Sequence, residues 1–318
     1  MPIKPDRLLP GDVVGILSPA SAPPDPKNID RSVAAIERLG FKPKLAPNAR
    51  RRWGFLAGSD RDRAADLMKL FTDRRVKAII CVRGGYGTAR LLPRLDYAAI
   101  RAHPKIFVGY SDITSLHCAF LAKSNLVSFH GPMLNSDFIK PDLPEFTLRS
   151  FRNTLMEAAA PGSIRAGYRQ KKTVKILRRG KASGPLIGGN ITLLCAALGT
   201  PYLPSFKQSI VFFEDLDEVP YRFDRMLTQL LNAGLLQQVA GVAIGINAGC
   251  EDPKAKRSQE YRQSLEDVFR ERLLPLKVPV VAGLPFGHIP LNATLPVGLR
   301  ATLDANQGDL IITESAVR

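Results

Sequence analysis

The sequence predicts an α/β fold in two domains. In the first half, short apolar segments alternate with segments whose apolar residues repeat at helical spacing, the pattern of a mostly parallel sheet covered by helices. The composition then becomes rich in proline, glycine and basic residues before a second apolar block begins. At 318 residues, the chain is long enough for two ordinary domains with their own cores.

The N-terminal block, residues 1–150, alternates strands and helices. Its predicted strands are the apolar segments at 12–17, 41–45, 77–82 and 106–110. Its predicted helices are an element at 30–39 that Gly40 closes, an element at 60–71 that Ser59 caps, and a third that begins beside Asp112. This alternation is what predicts the parallel sheet.

The C-terminal block, residues 183–318, follows a basic connector at 151–182. It contains predicted strands at 209–213 and 239–246, a helix after Pro220, and a tail at 294–312 with the pattern of short strands and turns. The connector includes Arg165 to Lys181, which carries eight Lys or Arg and no acidic residue. We interpret it as a solvated basic linker or surface.

The charge balance is basic, with 45 Lys and Arg against 29 Asp and Glu and a formal net charge of +16. Such a balance raises the possibility of nucleic-acid binding. The densest basic stretch contains one aromatic residue, Tyr168, whereas single-strand binding needs aromatic side chains interleaved with the charges. We therefore expect no nucleic-acid partner. Electrostatic attraction of acidic substrates is an alternative role for the charge.

Three features predict a cytoplasmic protein. The N-terminal residues lack the apolar core of a signal peptide. The longest uncharged apolar runs, such as 78–82, are too short to span a membrane, so we expect no membrane partner. The cysteines are far apart in sequence and form no C-x-x-C pair, which predicts reduced thiols: Cys81, Cys118, Cys195 and Cys250.

The segment 109–113 (Gly-Tyr-Ser-Asp-Ile) places a serine between a predicted buried strand and a helix. A serine on such a sharp turn exposes its hydroxyl above the sheet edge, and the backbone N–H of Asp112 at the helix N-terminus would face developing negative charge. This is the logic of a nucleophile elbow, although the second glycine of G-x-S-x-G is absent. The alternative is that Ser111 only caps the helix, and this segment alone does not decide between the two.

A glycine-rich segment, 83–87 (Arg-Gly-Gly-Tyr-Gly), also follows a predicted buried strand. Adjacent glycines allow backbone amides to approach a ligand closely, so this loop is a candidate second oxyanion donor or phosphate-binding loop. It matches neither G-x-G-x-x-G nor a P-loop. A tight strand-to-helix turn is the simpler explanation.

Serine chemistry needs a base, and the chain has four histidines. His288 lies in an uncharged loop flanked by Gly and Pro, which would hold an imidazole in place, and it is the best candidate. His103 is expected at the surface and His117 is expected to pack within its helix. His130 ends a predicted strand, where a structural role is favoured over a catalytic one.

Glu214 is the candidate for the carboxylate that orients the base, because it directly follows the apolar strand at 209–213. Three further acidic residues leave a hard-cation site as an alternative: Asp215, Asp217 and Glu218. Their spacing does not match a calcium-binding loop, so we expect neither a metal ion nor another cofactor.

Taken together, these segments resemble the LD-carboxypeptidase family, serine peptidases that trim the murein tetrapeptide. The resemblance covers nearly the whole chain and rests on segments that follow one another in the family's order: 11–21, 83–87, 109–112, 130–133, 185–190, 213–215, 220–227, 287–288 and 295–298. It implies an α/β N-terminal domain with a parallel sheet, a smaller β-rich C-terminal domain, and a homodimer.

The resemblance also implies site residues and a reaction. The catalytic triad would be Ser111, Glu214 and His288, with oxyanion donors at the backbone amides of Gly85 and Asp112. The enzyme would cleave the L,D-peptide bond that releases terminal D-Ala from a cytoplasmic murein tetrapeptide, whether free, muramyl-linked or UDP-linked. The family also contains immunity enzymes that hydrolyse a peptide-nucleotide antibiotic with the same triad, so this activity is the alternative.

The triad is divided along the chain, since Ser111 precedes the basic connector whereas Glu214 and His288 follow it. Closure of two domains around the substrate would then assemble the site. A large apolar interface that fixes the domains is the alternative. A non-enzymatic binding module, suggested by the charge alone, is a third functional class.

Overall fold

The computed structural model describes residues 2–251 and 263–318, which form two sheets and eight α-helices. The strands are β1 (Val13–Leu17), β2 (Lys42–Leu45), β3 (Val76–Cys81), β4 (Ile106–Gly109), β5 (Ser128–His130), β6 (Gly162–Ser163), β7 (Lys175–Arg178), β8 (Lys181–Asn190), β9 (Ile210–Glu214), β10 (Gly241–Gly245), β11 (Val280–Leu284), β12 (Leu295–Val297), β13 (Arg300–Asp304) and β14 (Asp309–Ile312). The helices are α1 (Asn28–Arg38), α2 (Asp60–Thr72), α3 (Tyr97–Ala102), α4 (Thr114–Ala119), α5 (Glu145–Leu155), α6 (Ile191–Ala196), α7 (Pro220–Asn232) and α8 (Leu265–Leu273).

The N-terminal sheet has the strand order β12-β5-β4-β3-β1-β2. Strands β1 to β5 are parallel, because a helical crossover follows each of the first four. Alternate residues of β3 enter different cores: Ile79 packs with the side chains of α2 and α4, whereas Ile80 packs with those of α1 and α5. Burial on both faces explains why these strands are continuous apolar runs.

The C-terminal sheet has the order β6-β14-β13-β8-β9-β10-β11-β7. Its four central strands, β8 to β11, are parallel, and the outer strands are antiparallel to their neighbours. One face packs against α7 and α8, where Phe213 of β9 contacts the ring of Phe269. The two sheets confirm the predicted α/β fold class, with a parallel N-terminal sheet and a β-rich second domain.

The basic connector, which we interpreted from the sequence as a solvated basic linker or surface, contains strands β6 and β7 at the two edges of the C-terminal sheet. In β7, Leu177 is buried in the core, while Lys175 and Arg178 are exposed. Charged side chains are typical of edge strands, where they discourage pairing with other chains. Because so many residues of this segment are charged, its sequence did not predict strand β7.

The C-terminal block returns to the N-terminal sheet through β12, which pairs antiparallel with β5. Buried hydrogen bonds also cross between the blocks: the Asn190 N–H donates to Thr114 Oγ1 and the Asn292 N–H donates to Thr147 Oγ1, both at 2.9 Å. The blocks are thus joined by strand pairing and by buried polar contacts. These links support the fixed-domain alternative over a freely closing pair.

Candidate active site

Ser111 lies at a sharp turn between β4 and α4. Its φ of +65° is in the left-handed region, which is unfavourable for a residue with a Cβ. Strand β4, which precedes Ser111, ends in Gly109. An added Cβ there would lie 2.9 Å from the Ile113 side chain, so only glycine allows this close turn. The short 3-10 helix at 111–113 has Tyr110 as its N-cap, so Ser111 is not the cap. Its strained conformation is that of a nucleophile elbow.

The glycine-rich loop lies directly against this serine. An added Cβ on Gly84 would lie 2.9 Å from Ser111 Cβ and 3.1 Å from its Oγ. Gly85 has a φ of +109°, and an added Cβ there would lie 2.5 Å from Ser21 Oγ. Ser21 Oγ in turn accepts a hydrogen bond from the Tyr86 N–H at 3.2 Å. Gly84 therefore allows the loop to lie against Ser111, and Gly85 allows it to lie against Ser21.

Asp112 attaches the glycine-rich loop to the elbow. Its buried carboxylate accepts a hydrogen bond from the Thr88 N–H at 2.9 Å, and its carbonyl accepts one from Thr88 Oγ1 at 2.5 Å. Burial raises the pKa of this carboxyl, against the opposing effect of the hydrogen bonds from Thr88. The sequence predicted a role only for the backbone N–H of Asp112. The contact of its carboxylate with Thr88 is long-range and has no signal in the sequence.

The imidazole and the buried carboxylate meet at the end of the C-terminal sheet. Glu214 is the last residue of β9 and is fully buried, and its Oε2 lies 2.6 Å from His288 Nδ1. His288 lies in the loop that follows β11. Gly287 allows the contact, since an added Cβ there would lie 2.9 Å from Glu214 Oε2.

The charge state of His288 depends on two opposing influences. Burial is the largest single one and disfavours the protonated ring. The hydrogen bond and negative charge of Glu214, with the charges of Asp215 and Asp137, together outweigh burial and raise the pKa of His288 above its usual 6.5. A carboxylate that stabilises the imidazolium in this way is what a general base needs when it accepts a proton.

One cavity of about 430 Å³ brings the predicted site residues together. Ser111, Gly85 and His288 all line it, while Glu214 lies behind His288. Among the described residues, Ser111 has no hydrogen bond to His288, although the Tyr110 ring packs edge-on against the imidazole at 4.9 Å between centroids. The Asp112 amide lies beside this cavity, since an added Cβ on Gly84 would lie 3.3 Å from its nitrogen. A hydroxyl, a carboxylate-bound imidazole and nearby backbone amides are the groups that acyl transfer requires.

The remaining histidines with predicted structural roles are buried away from this cavity. His117 contacts Ser128 Oγ and the Gly109 carbonyl, each at 2.8 Å, and burial lowers its pKa to about 4. His130 ends β5, is fully buried among aromatic rings, and has no partner for either ring nitrogen in the described part of the chain. Both side chains therefore pack rather than line the site.

The acidic residues after Glu214 have other functions in the structure. The Asp215 carboxylate accepts hydrogen bonds from Asn190 Nδ2 and Thr192 Oγ1, both at 2.7 Å, and so links β9 to α6. Glu218 forms an ion pair with Arg222 at 3.1 Å. Within residues 2–251 and 263–318, no group of three or more His, Cys, Asp or Glu side chains is arranged to hold a metal ion.

Several cavity residues had no individual role in the prediction from the sequence, among them Arg83, Met133 and Ser136. Asp137 lies near the site as well, and burial raises its pKa to about 6. Ser136 and Asp137 lie in the short π-helical turn Leu134–Phe138, and the other two lie in loops after β3 and β5, so none belongs to an element with a periodic sequence signal. Within residues 2–251 and 263–318, no helix is both long enough and apolar enough to cross a membrane.

Comparison with known protein families gives two matches in this chain. Residues 14–131 match the LD-carboxypeptidase N-terminal domain, and residues 183–303 match the LD-carboxypeptidase C-terminal domain. A probable murein peptide carboxypeptidase of Bacillus subtilis is 38% identical over 309 residues, which cover 97% of this chain and 94% of that protein. The murein tetrapeptide carboxypeptidase of Pseudomonas aeruginosa is 32% identical over 92% of this chain and 94% of its own length.

Solved structures agree with this assignment. The muramoyltetrapeptide carboxypeptidase from Oxalobacter formigenes has a TM-score of 0.82 and 33% identity, covering 95% of this chain and 99% of its own. The microcin C7 self-immunity protein MccF, in complex with aspartyl sulfamoyl adenosine, has a TM-score of 0.89 and 26% identity over the whole of both chains. The resemblance inferred from the sequence is confirmed. The chain belongs to the LD-carboxypeptidase family and is a serine-type carboxypeptidase.

Proposed function

We propose that this enzyme cleaves the L,D-peptide bond of murein tetrapeptides and releases terminal D-Ala during cell-wall recycling. The observation that carries the proposal is the cavity itself, in which the strained Ser111 and the Glu214-bound His288 face the same space. The two curated relatives described above are named for murein peptides, which favours this substrate class.

In the proposed reaction, Ser111 Oγ attacks the carbonyl that joins the L-centre of meso-diaminopimelate to D-Ala. His288 Nε2 accepts the hydroxyl proton, while Glu214 holds Nδ1–H and stabilises the imidazolium. The amides of Gly85 and Asp112 bind the oxyanion. Collapse of the intermediate transfers the proton to the leaving amine and releases D-Ala, and water then hydrolyses the acyl-enzyme with His288 as the base.

The proposal is tested by measuring free D-Ala from UDP-linked, muramyl-linked and free tetrapeptides. We expect release of D-Ala from at least one of these by the wild-type enzyme. The same peptide ending in L-Ala is the matched control and should remain intact if the L,D bond is recognised. Absence of D-Ala from all three substrates would refute the proposal.

A second candidate is hydrolysis of an aminoacyl-nucleotide toxin by the same three residues. It is favoured by the TM-score of 0.89 to MccF, whose structure holds an aminoacyl sulfamoyl nucleoside. An aminoacyl-nucleotide antibiotic should therefore be assayed in parallel with the tetrapeptide. Turnover of the nucleotide without release of D-Ala would select this second function.

We also propose that the enzyme is a cytoplasmic homodimer. All four cysteines are buried free thiols, as expected of a protein in a reducing compartment. Burial raises the pKa of Cys118 to about 12, which suppresses its oxidation-prone thiolate. Light scattering of the purified protein measures the subunit number, and cell fractionation tests the compartment.

A further inference from the structure

The active-site cavity contains one strongly basic side chain. Among the described residues that line it, Arg83 is the only Lys or Arg, and it lies just beyond β3 at the start of the glycine-rich loop. Asp215 and Glu218 also line the cavity, but both carboxylates are engaged with other protein groups. Arg83 therefore determines where an anionic part of a ligand would be attracted.

The Arg83 guanidinium has few partners within the protein. Among the described residues, its single hydrogen bond runs from Nη1 to the Ala22 carbonyl and is long, at 3.4 Å. It forms no ion pair with any carboxylate in residues 2–251 or 263–318. By contrast, Arg63 is fully buried and bonds to the Gly87 carbonyl and to Asp60. A half-buried guanidinium with five donors and one long bond has donors available for a ligand.

The position of Arg83 fits one particular ligand group. An added Cβ on Gly85 would lie 3.6 Å from Arg83 Nη2, so the guanidinium is beside the proposed oxyanion donor. In a carboxypeptidase substrate, the scissile carbonyl carbon and the terminal carboxylate carbon are three covalent bonds apart, a span of about 4 Å at most. A group that binds the carboxylate must therefore lie next to the oxyanion site.

We propose that Arg83 binds the terminal carboxylate of the substrate and so restricts cleavage to the last peptide bond. This inference rests on the proposed function. The planar guanidinium matches a carboxylate with two parallel hydrogen bonds, which makes it more selective than a lysine at this position. An internal peptide bond lacks the carboxylate and would leave Arg83 unpaired in the cavity.

The test compares a murein tetrapeptide that has a free terminal carboxylate with the same peptide ending in D-alaninamide. We expect the wild-type kcat/KM to favour the acid by about 100-fold, as a charge-assisted pair of hydrogen bonds implies. Arg83→Gln should lose this preference by slowing cleavage of the acid, while the amide is cleaved within a few-fold of the wild-type rate. Arg83→Lys should keep part of the preference.

Arg52→Gln is the matched control, because Arg52 bonds to the Pro23 and Pro24 carbonyls of the loop that Arg83 also contacts but does not line the cavity. It should leave both substrates unaffected. Equal slowing of acid and amide by Arg83→Gln would show a structural role, and an unchanged preference would also overturn the inference. A wild-type enzyme that cleaves neither peptide overturns the proposed function and the inference together.

Discussion

Glu214 Oε2 lies 2.6 Å from His288 Nδ1, although the two residues are 74 positions apart in the chain. The parallel strands of one sheet create this contact, since β9 ends in Glu214 and the loop after β11, which is separated from β9 by β10, carries His288. The pairing leaves Nε2 as the ring nitrogen that can accept a proton.

Ser111→Ala should abolish D-Ala release, with a loss of turnover on the order of 10⁴-fold or more. The fold should remain intact, because the serine hydroxyl has no hydrogen bond to a described residue. Ser136→Ala, which removes another hydroxyl from the same cavity, is the control and should retain turnover within about tenfold. Near-native turnover of Ser111→Ala, with inhibition by a chelator, would instead assign the chemistry to a metal site.

Ser111→Gly should be inactive yet more stable than Ser111→Ala. Glycine adopts a φ of +65° without strain, whereas alanine keeps the unfavourable contact of its Cβ. We expect a difference in unfolding free energy of about 1 kcal/mol, measured by chemical denaturation. Equal stability of the two variants would mean that the turn at 111 is relaxed in solution.

The kcat/KM of the enzyme should fall at low pH with a midpoint above pH 6.5. His288 must be neutral to act as a base, and its raised pKa places protonation above that value. Glu214→Gln removes the charge that raises this pKa and leaves the opposing burial, so the midpoint should move to lower pH while turnover drops. Glu314→Gln, which alters an ion pair with Lys4 outside the cavity, is the control. An unchanged midpoint in Glu214→Gln would contradict the assignment.

Gly85→Ala should reduce turnover by about 10²-fold or more, because a donor to the oxyanion would be displaced. The added Cβ would lie 2.5 Å from Ser21 Oγ and 2.7 Å from its Cβ, so the loop must shift. Gly40→Ala is the matched control, since Gly40 also has a positive φ but has open space around it. Both variants should lose stability by about 1 kcal/mol, and only Gly85→Ala should lose activity.

Reversing Arg178 and Arg179 to Glu should leave peptide hydrolysis within a few-fold of wild type. Both side chains are exposed at the edge of the C-terminal sheet and neither lines the active-site cavity. We also expect no tight oligonucleotide binding by the wild-type protein. Steeply salt-dependent binding that the double variant loses would overturn this prediction and restore a nucleic-acid role for the basic stretch.

The two sheets should unfold in a single cooperative transition. Thr114→Val should lower the unfolding free energy by about 1–3 kcal/mol, because it leaves the buried Asn190 N–H without its acceptor. Two separate calorimetric transitions would contradict the joined arrangement. If a cysteine pair that cross-links an open form of the cavity suppressed turnover, and reduction restored it, the closure hypothesis would be supported instead.

The sequence by itself determined the local structure and the chemical character of the site. The alternation of apolar strands with helical periods predicted the parallel sheet, because burial on both faces imposes continuous apolar strands. The Gly-Tyr-Ser-Asp segment and the paired glycines predicted a turn and a close approach, since both depend on backbone sterics. The order of these segments was enough to identify the family, and a position such as Ser111 could be named before any distance was known.

The family resemblance implied the triad, but only the tertiary structure gave the contacts and distances at which these groups meet. The contact of Glu214 with His288, the attachment of Asp112 to Thr88, and the position of Arg83 beside Gly85 arise from strand order and loop packing, which leave no periodic trace in the sequence. Strand β7 was concealed because its exposed charges dominate the composition, and β12 joins the other domain's sheet through a long-range pairing. Local propensity acts over a few residues, whereas these contacts depend on how the whole chain buries its apolar surface.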